Sequence, residues 1–202
     1  MKRSAVLLTV LSLVLAHPAA GLAASAVGKP APDFSAVDWN SQTRSLKEFR
    51  GKFVVLEWFN PDCPFVRKHY GTGNMQALQQ TWTEKGVVWL SVNSSAPGKQ
   101  GHVIPQQAKA FVEQRGAAPT TVLLDPAGAL GRLYGAKTTP HLFVVNPEGV
   151  LVYAGAIDDT PSADPDDVPA AMNYVQRALE EAMAGEPVSV ASTQPYGCSV
   201  KY

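Results

Sequence analysis

Val54-Val55-Leu56-Glu57-Trp58-Phe59-Asn60-Pro61-Asp62-Cys63-Pro64-Phe65-Val66 reads as a buried strand, a tight turn and the opening of a helix. The run Phe53 to Phe59 is apolar and rich in β-branched and aromatic side chains, and Asn60-Pro61-Asp62 is turn chemistry. Pro64 stands where a helix can begin, because the first N–H groups of a helix have no partner inside it. Cys63 is thereby delivered to a helix N-terminus. Free N–H groups and the positive end of the helix dipole favour a thiolate there, and such placement lowers a Cys pKa from about 8.5 to roughly 3.5–7.5. A thiolate attacks disulfides and peroxides; a thiol hardly does. The alternative for Cys63 is a small buried hydrophobe, against which its flanking Pro61, Asp62 and Pro64 argue for a shallow position.

Working outward, Val87 to Val92 and Thr120 to Leu124 read as two further buried strands. Stretches of helical length, Pro64 to Glu84 and Pro105 to Arg115, lie between the three, each opened by Pro. Strand, helix, strand, helix, strand implies parallel pairing with right-handed crossovers. His141 to Val145 and Val150 to Tyr153 are separated only by Asn146-Pro147-Glu148-Gly149, which makes an antiparallel hairpin. Asp166 to Ala184 carries Val168, Ala171, Met172, Val175, Leu179 and Met183 at three-and-four spacing with Gly185 just beyond, a last amphipathic helix with its C-cap. Residues 186–202, rich in Ser, Thr and Pro, read as an irregular tail. The expected organisation is a leader over 1–26, one domain over 27–185 and a tail over 186–202 that carries Cys198.

The leader follows from Lys2 and Arg3, the apolar run Ala5 to Ala16 and the A-x-A pattern Ala24-Ser25-Ala26, the layout of a cleaved secretory signal. The apolar run is well short of the roughly 20 residues that span a bilayer, so an exported protein without a stable membrane anchor is expected, periplasmic or extracellular. The 17 basic and 17 acidic side chains among 202 residues balance, which removes any sequence-wide attraction for nucleic acid. Two cysteines are too few for a disulfide-dense scaffold or a four-cysteine zinc site. A mature chain of this length buries enough surface to be stable without staples, so the pair is expected to matter for chemistry.

The sequence resembles the thioredoxin-like superfamily, in particular redoxins related to the alkyl hydroperoxide reductase and thiol-specific antioxidant proteins. The resemblance rests on Gly28-Lys29-Pro30-Ala31-Pro32-Asp33-Phe34, Leu46-Lys47-Glu48-Phe49-Arg50-Gly51-Lys52, the Trp58-to-Cys63 turn, Asp125-Pro126-Ala127-Gly128 and Thr139-Pro140-His141, taken in that order. It implies an α/β fold with a central mixed sheet flanked by helices on both faces. It also implies that Pro140 is the cis proline facing the nucleophilic Cys; the alternative is a trans proline on an edge strand. Thr139 and Pro140 then form the backbone platform for a partner's extended segment.

Two departures matter. Thioredoxins carry C-x-x-C, whereas Val66 occupies the second position here, so the local disulfide is absent. Peroxiredoxins carry P-x-x-x-T-x-x-C, and counting on from Pro61 lands on Lys68, so the peroxidatic loop is absent too. The C-terminal Gln194-Pro195-Tyr196-Gly197-Cys198-Ser199-Val200-Lys201-Tyr202 resembles that of a peroxiredoxin-like subgroup with one thioredoxin-type Cys and a Cys near the C-terminus. Cys198 is accordingly expected to fold back as the resolving partner of Cys63; a permanent structural disulfide and an unrelated free thiol are the alternatives. Glu57 matches the position of the buried acid beneath the thioredoxin disulfide and is the candidate proton shuttle, unless it faces solvent across the strand or pairs with a Lys or Arg. Asn60 and Asp62 are accounted for by the turn.

His69, His102 and His141 could join the cysteines as ligands for copper or zinc, but their spacing supports no preformed cluster, and no metal or organic cofactor is implied. His141, next to Pro140, is the histidine expected near Cys63, in a hydrogen-bonding role. The expected activity is thiol-disulfide exchange with protein or small-molecule thiols and disulfides. Hydroperoxide reduction at Cys63 is the alternative within the fold, and a non-enzymatic metal- or partner-binding module the alternative outside it.

Overall fold

A computed structural model describes residues 25–202; all but the last two residues of the expected leader lie outside the described residues. Strands β1 (Ser35–Asp38), β2 (Thr43–Ser45), β3 (Val54–Trp58), β4 (Val88–Asn93), β5 (Thr121–Leu124), β7 (His141–Val145) and β8 (Leu151–Gly155) form one sheet in the order β2-β1-β5-β4-β3-β7-β8. Its centre is parallel, β3 with β4 and β4 with β5; the flanks, β7 and β8 on one side and β1 and β2 on the other, are antiparallel. Every residue of β3 and β4 is buried, because helices cover both faces, which is why these strands read as continuous apolar runs rather than alternations.

Side chains of β3 alternate between two cores. Val55 and Phe59 join the core made with α1 (Pro64–Gly71), α2 (Asn74–Glu84), α3 (Pro105–Arg115) and α5 (Tyr174–Met183); Val54, Leu56 and Trp58 join the one made with Leu46, Phe49 and α4 (Ala129–Tyr134). Cys63 belongs to the first. No helix of the described residues is long and apolar enough to cross a membrane.

Three elements differ from the sequence reading. The helix expected over Pro64 to Glu84 is two, broken at Thr72-Gly73, where Gly73 has φ +79° and the Thr72 hydroxyl bonds back to the Lys68 carbonyl at 3.0 Å; a left-handed residue cannot continue an α-helix. The helix expected over Asp166 to Ala184 is a 3-10 turn, Pro165–Ala170, followed by α5. Pro169 lacks the N–H a helix interior needs, and Asn173 restarts the helix by accepting from the Gln176 N–H at 2.9 Å. The tail is not irregular throughout: β9 (Cys198–Ser199) pairs with β6 (Thr138–Thr139) in a separate two-stranded sheet.

Candidate active site

Cys63 is the residue that caps α1. Its backbone N–H donates to the Asn60 carbonyl at 3.1 Å and its carbonyl accepts the first helical bond from Arg67 at 2.9 Å. The Asn60 side chain fixes the turn, accepting from the Asp62 N–H at 2.8 Å and donating to the Gln100 carbonyl at 3.2 Å. The Thr139–Pro140 peptide is cis, and the Cys63 thiol donates to the Thr139 carbonyl at 3.0 Å. Cys63 is 0% exposed, deeper than its flanking prolines suggest, because the C-terminal tail lies over it.

That tail is a built structure. Cys198 lies opposite Thr139, and Ser199 opposite Thr138. The Val200 N–H donates to the Lys137 carbonyl at 3.1 Å, and the Ala96 N–H to the Lys201 carbonyl at 2.8 Å. Both cysteines are free thiols and both meet Thr139, Cys63 through its thiol on the carbonyl and Cys198 as the paired residue. Burial pushes the Cys63 pKa up, but the neighbouring Cys198 thiol first, and the polar groups of Thr139, Val66 and Cys198 around it, outweigh burial and leave it lowered; the Thr139 hydroxyl is itself buried without a hydrogen-bond partner. Cys198 goes the other way, to about 11, through burial and then through its bond and proximity to Cys63, against a small opposing effect of Lys201. The pair is therefore asymmetric: Cys63 ionises first and Cys198 stays a donor to it.

Glu57 is fully buried on the Cys63 face, facing neither solvent nor a Lys or Arg. Its Oε1 accepts from the Tyr70 hydroxyl at 2.7 Å; its Oε2 accepts from Trp89 Nε1 at 2.8 Å, Ser91 Oγ at 2.9 Å and Gln79 Nε2 at 3.1 Å. Burial raises its pKa in spite of these four donors. None of the four is a cysteine. Trp89 and Ser91 lie two apart on β4, so one strand face supplies half of the cage.

The histidines depart from expectation. His141 shares the opposite core with Phe143, whose ring centroid is 4.3 Å away, and accepts from the Lys137 N–H at 3.2 Å through Nδ1. As the first residue of β7 it alternates with Leu142, which faces the Cys63 side; adjacency to Pro140 in sequence therefore turns it away from the thiol. His69 is the histidine tied to the tail. Asn74 Nδ2 is 2.9 Å from its Nδ1, its Nε2 is 3.2 Å from the Tyr196 hydroxyl, and that hydroxyl donates to Asp158 Oδ1. The Asn74 amide can only donate to Nδ1, so His69 is neutral with its proton on Nε2. Burial, reinforced by the Lys68 charge, holds its pKa at about 3. Tyr196 and Asp158 were not singled out by sequence reasoning; the only signal was a tyrosine two residues before a lone cysteine. Among the described residues no group of three or more His, Cys, Asp or Glu gathers as a metal site.

A cysteine at the strand-to-helix turn of a mixed sheet, facing a cis proline, defines a thioredoxin-like redoxin. The chain belongs to the AhpC/TSA family, which matches residues 27–154. It is 26% identical over 126 residues to the thiol-disulfide oxidoreductase ResA of Bacillus thuringiensis, covering 62% of this chain and 67% of that one. A crystal structure of an uncharacterized conserved protein from Geobacillus kaustophilus superposes with a TM-score of 0.74 at 23% identity, over 88% of this chain and 92% of that one. A Chlorobium tepidum structure, provisionally described as a thiol:disulfide interchange protein DsbE, gives 0.52 at 27% identity over 65% and 85%.

Proposed function

We propose that this protein is an exported thiol-disulfide oxidoreductase in which Cys63 is the nucleophile and Cys198 the resolving thiol. The observation that carries the reading is that Cys198 stands opposite Thr139 in the β6–β9 ladder, the residue whose carbonyl accepts the Cys63 thiol at 3.0 Å, with the Cys63 pKa lowered and that of Cys198 raised to about 11. In the reducing direction, the Cys63 thiolate attacks one sulfur of a partner disulfide; a Cys63–partner disulfide forms and the partner's other sulfur leaves as a thiolate that takes a proton. Cys63 is then uncharged, so the interaction that held the Cys198 proton disappears, and Cys198 ionises more readily. Its thiolate attacks the Cys63 sulfur, the mixed disulfide breaks, and the partner's second thiolate leaves and is protonated. The partner has gained two electrons, and the protein holds a Cys63–Cys198 disulfide that an external dithiol must reduce. The oxidising direction is the reverse.

Glu57, on the Cys63 face with burial favouring its protonated form, is the proton store of the exchange. Thr139 and Pro140 supply the backbone against which the partner lies. Lys2, Arg3, the apolar run to Ala16 and Ala24-Ser25-Ala26 support export, with cleavage after Ala26, to a compartment where disulfides persist. The test is a Cys198→Ser variant expressed with its leader: it should accumulate mixed disulfides through Cys63 that a Cys63→Ser variant lacks. Absence of any thiol-reversible adduct on Cys63, together with rapid peroxide consumption, would replace disulfide exchange by hydroperoxide reduction.

A further inference from the structure

Among the described residues, the strand β6 pairs with nothing in the main sheet, and its partner is β9. Remove the tail and Thr138–Thr139 becomes a bare edge of N–H and C=O groups, the kind of edge an extended polypeptide completes. The tail fills this edge with side-chain demands of its own. Tyr196 packs edge-to-face on Phe65 at 5.8 Å and sends its hydroxyl to Asp158 and His69. Gly197 has φ +127°, and a Cβ there would stand 2.1 Å from the Thr139 carbonyl oxygen, so no other residue fits without moving the strand. Cys198 follows, opposite Thr139. At the far end, the Arg132 guanidinium lies 4.6 Å from the Tyr202 ring centroid, and the Tyr202 hydroxyl donates to the Ala136 carbonyl at 2.8 Å.

We propose that Tyr196–Tyr202 fill a polypeptide-docking groove and that a partner polypeptide enters by replacing them, selected for a phenol two residues before, and a glycine immediately before, its reactive cysteine. The inference rests on the exchange reading above and names the partner that the same site takes. The groove must be vacated for a partner to reach Cys63, which is 0% exposed with the tail in place. The chain has a place to open: Thr193 is fastened to β8, its N–H on the Ala154 carbonyl at 3.2 Å and its hydroxyl 2.8 Å from that of Tyr153. Gln194, the next residue, is exposed. Everything beyond it can leave as one segment while the residues before it stay.

The test reads alkylation of Cys63 in a Cys198→Ser background, where it is the only thiol. Adding Gly197→Ala, or Tyr196→Ala with Tyr202→Ala, should speed alkylation about tenfold or more, since a buried thiol reacts only from the opened state. A synthetic heptapeptide of sequence Tyr-Gly-Ser-Ser-Val-Lys-Tyr should slow the unlatched proteins again, and the same peptide with Ala for Gly should not. Alkylation of the Gly197→Ala protein at the parent rate would overturn the proposal, as would equal protection by the two peptides or none by either. Gly197→Ala changes one methyl outside both cores, so the outcome does not depend on the double variant folding. The exchange reading fails separately, if Cys63 alkylates yet never forms a mixed disulfide with a disulfide-bearing peptide.

Discussion

Cys198 lies directly across from Thr139 in the β6–β9 ladder, so main-chain pairing, not side-chain packing, delivers the second thiol to the first. The first prediction is that mild oxidation produces one intramolecular disulfide, Cys63–Cys198, found by peptide mapping of the non-reduced protein. It closes a loop of about 135 residues, on the order of 5 kcal/mol in the chain-entropy account if unstrained. A redox-active pair should titrate against glutathione at about −120 to −270 mV, and a structural staple below about −300 mV. Two free thiols after oxidation would remove the resolving role of Cys198 altogether.

The second prediction concerns the Cys63 thiolate. Its alkylation rate should rise with pH through a midpoint below the ordinary thiol value of about 8.5, because the donors around it outweigh burial. Cys198→Ala removes the thiol donor and leaves the Cys198 backbone N–H in place. The midpoint should move up, since the protonated form loses less than the ionised form does. A midpoint that stays where it was would place the lowering with the N–H groups of the helix terminus rather than with the partner cysteine.

The parallel centre of the sheet was legible because β3, β4 and β5 are buried on both faces, and their β-branched runs record that burial directly. The β7–β8 hairpin was legible from its Asn146-Pro147-Glu148-Gly149 turn. What escaped depends on contacts between distant segments. A two-residue strand such as Cys198–Ser199 has no periodicity to read; its register comes from Thr138 and Thr139, some sixty residues away. The cage of Glu57 shows the same limit, since Trp89 and Ser91 reach it only once the β3–β4 register sets Glu57 opposite Ser91. His141 illustrates the opposite error, because its two-residue spacing from Phe143 on one strand already puts both side chains on the same face, away from the thiol.

Glu57 supplies the third prediction. In Glu57→Gln the amide oxygen can keep the Trp89, Ser91 and Gln79 donors while the NH2 replaces Oε1 and donates to a reoriented Tyr70 hydroxyl. Glu57→Ala orphans several buried donors and opens a cavity, and should lose roughly 3 kcal/mol or more. The pH dependence separates the two roles of the acid. Because the folded pKa is raised, the carboxyl's contribution is full below its unfolded value of about 4.5 and is lost as pH rises through the folded pKa. Gln does not titrate, so urea midpoints should favour Glu57→Gln over the parent increasingly as pH rises. If Glu57 stores the exchange proton, this variant should also flatten the pH profile of disulfide exchange while leaving the Cys63–Cys198 disulfide able to form.

The last prediction is an acid limit on stability set by two buried histidines. His69 and His141 are both held near a pKa of about 3, in each case by burial first and by a neighbouring lysine, Lys68 or Lys137, second. In the unfolded chain both take protons at about 6.5. Between those values the unfolded state binds the extra protons, so stability falls as pH falls, by about 1.4 kcal/mol per pH unit for each histidine. From about 4.5 up to its raised folded pKa, the carboxyl of Glu57 works against one of them. Below about 4.5 it is protonated in both states and no longer opposes the histidines, and the lowered carboxyls of Glu181 and Asp33 act in the same direction as they do. Urea midpoints measured from pH 8 down to pH 4 should therefore decline with a slope that steepens at the acid end. Glu57→Gln should bring the steeper slope to higher pH, and His141→Gln should reduce it below about 4.5, where the lowered carboxyls of Glu181 and Asp33 add to the remaining histidine. A flat profile between pH 6.5 and 4 would mean that one or both imidazoles are already protonated in the folded protein; were it His69, its Nδ1–H would have to donate to the Asn74 amide oxygen, while Nε2, Tyr196 and Asp158 kept their present sense.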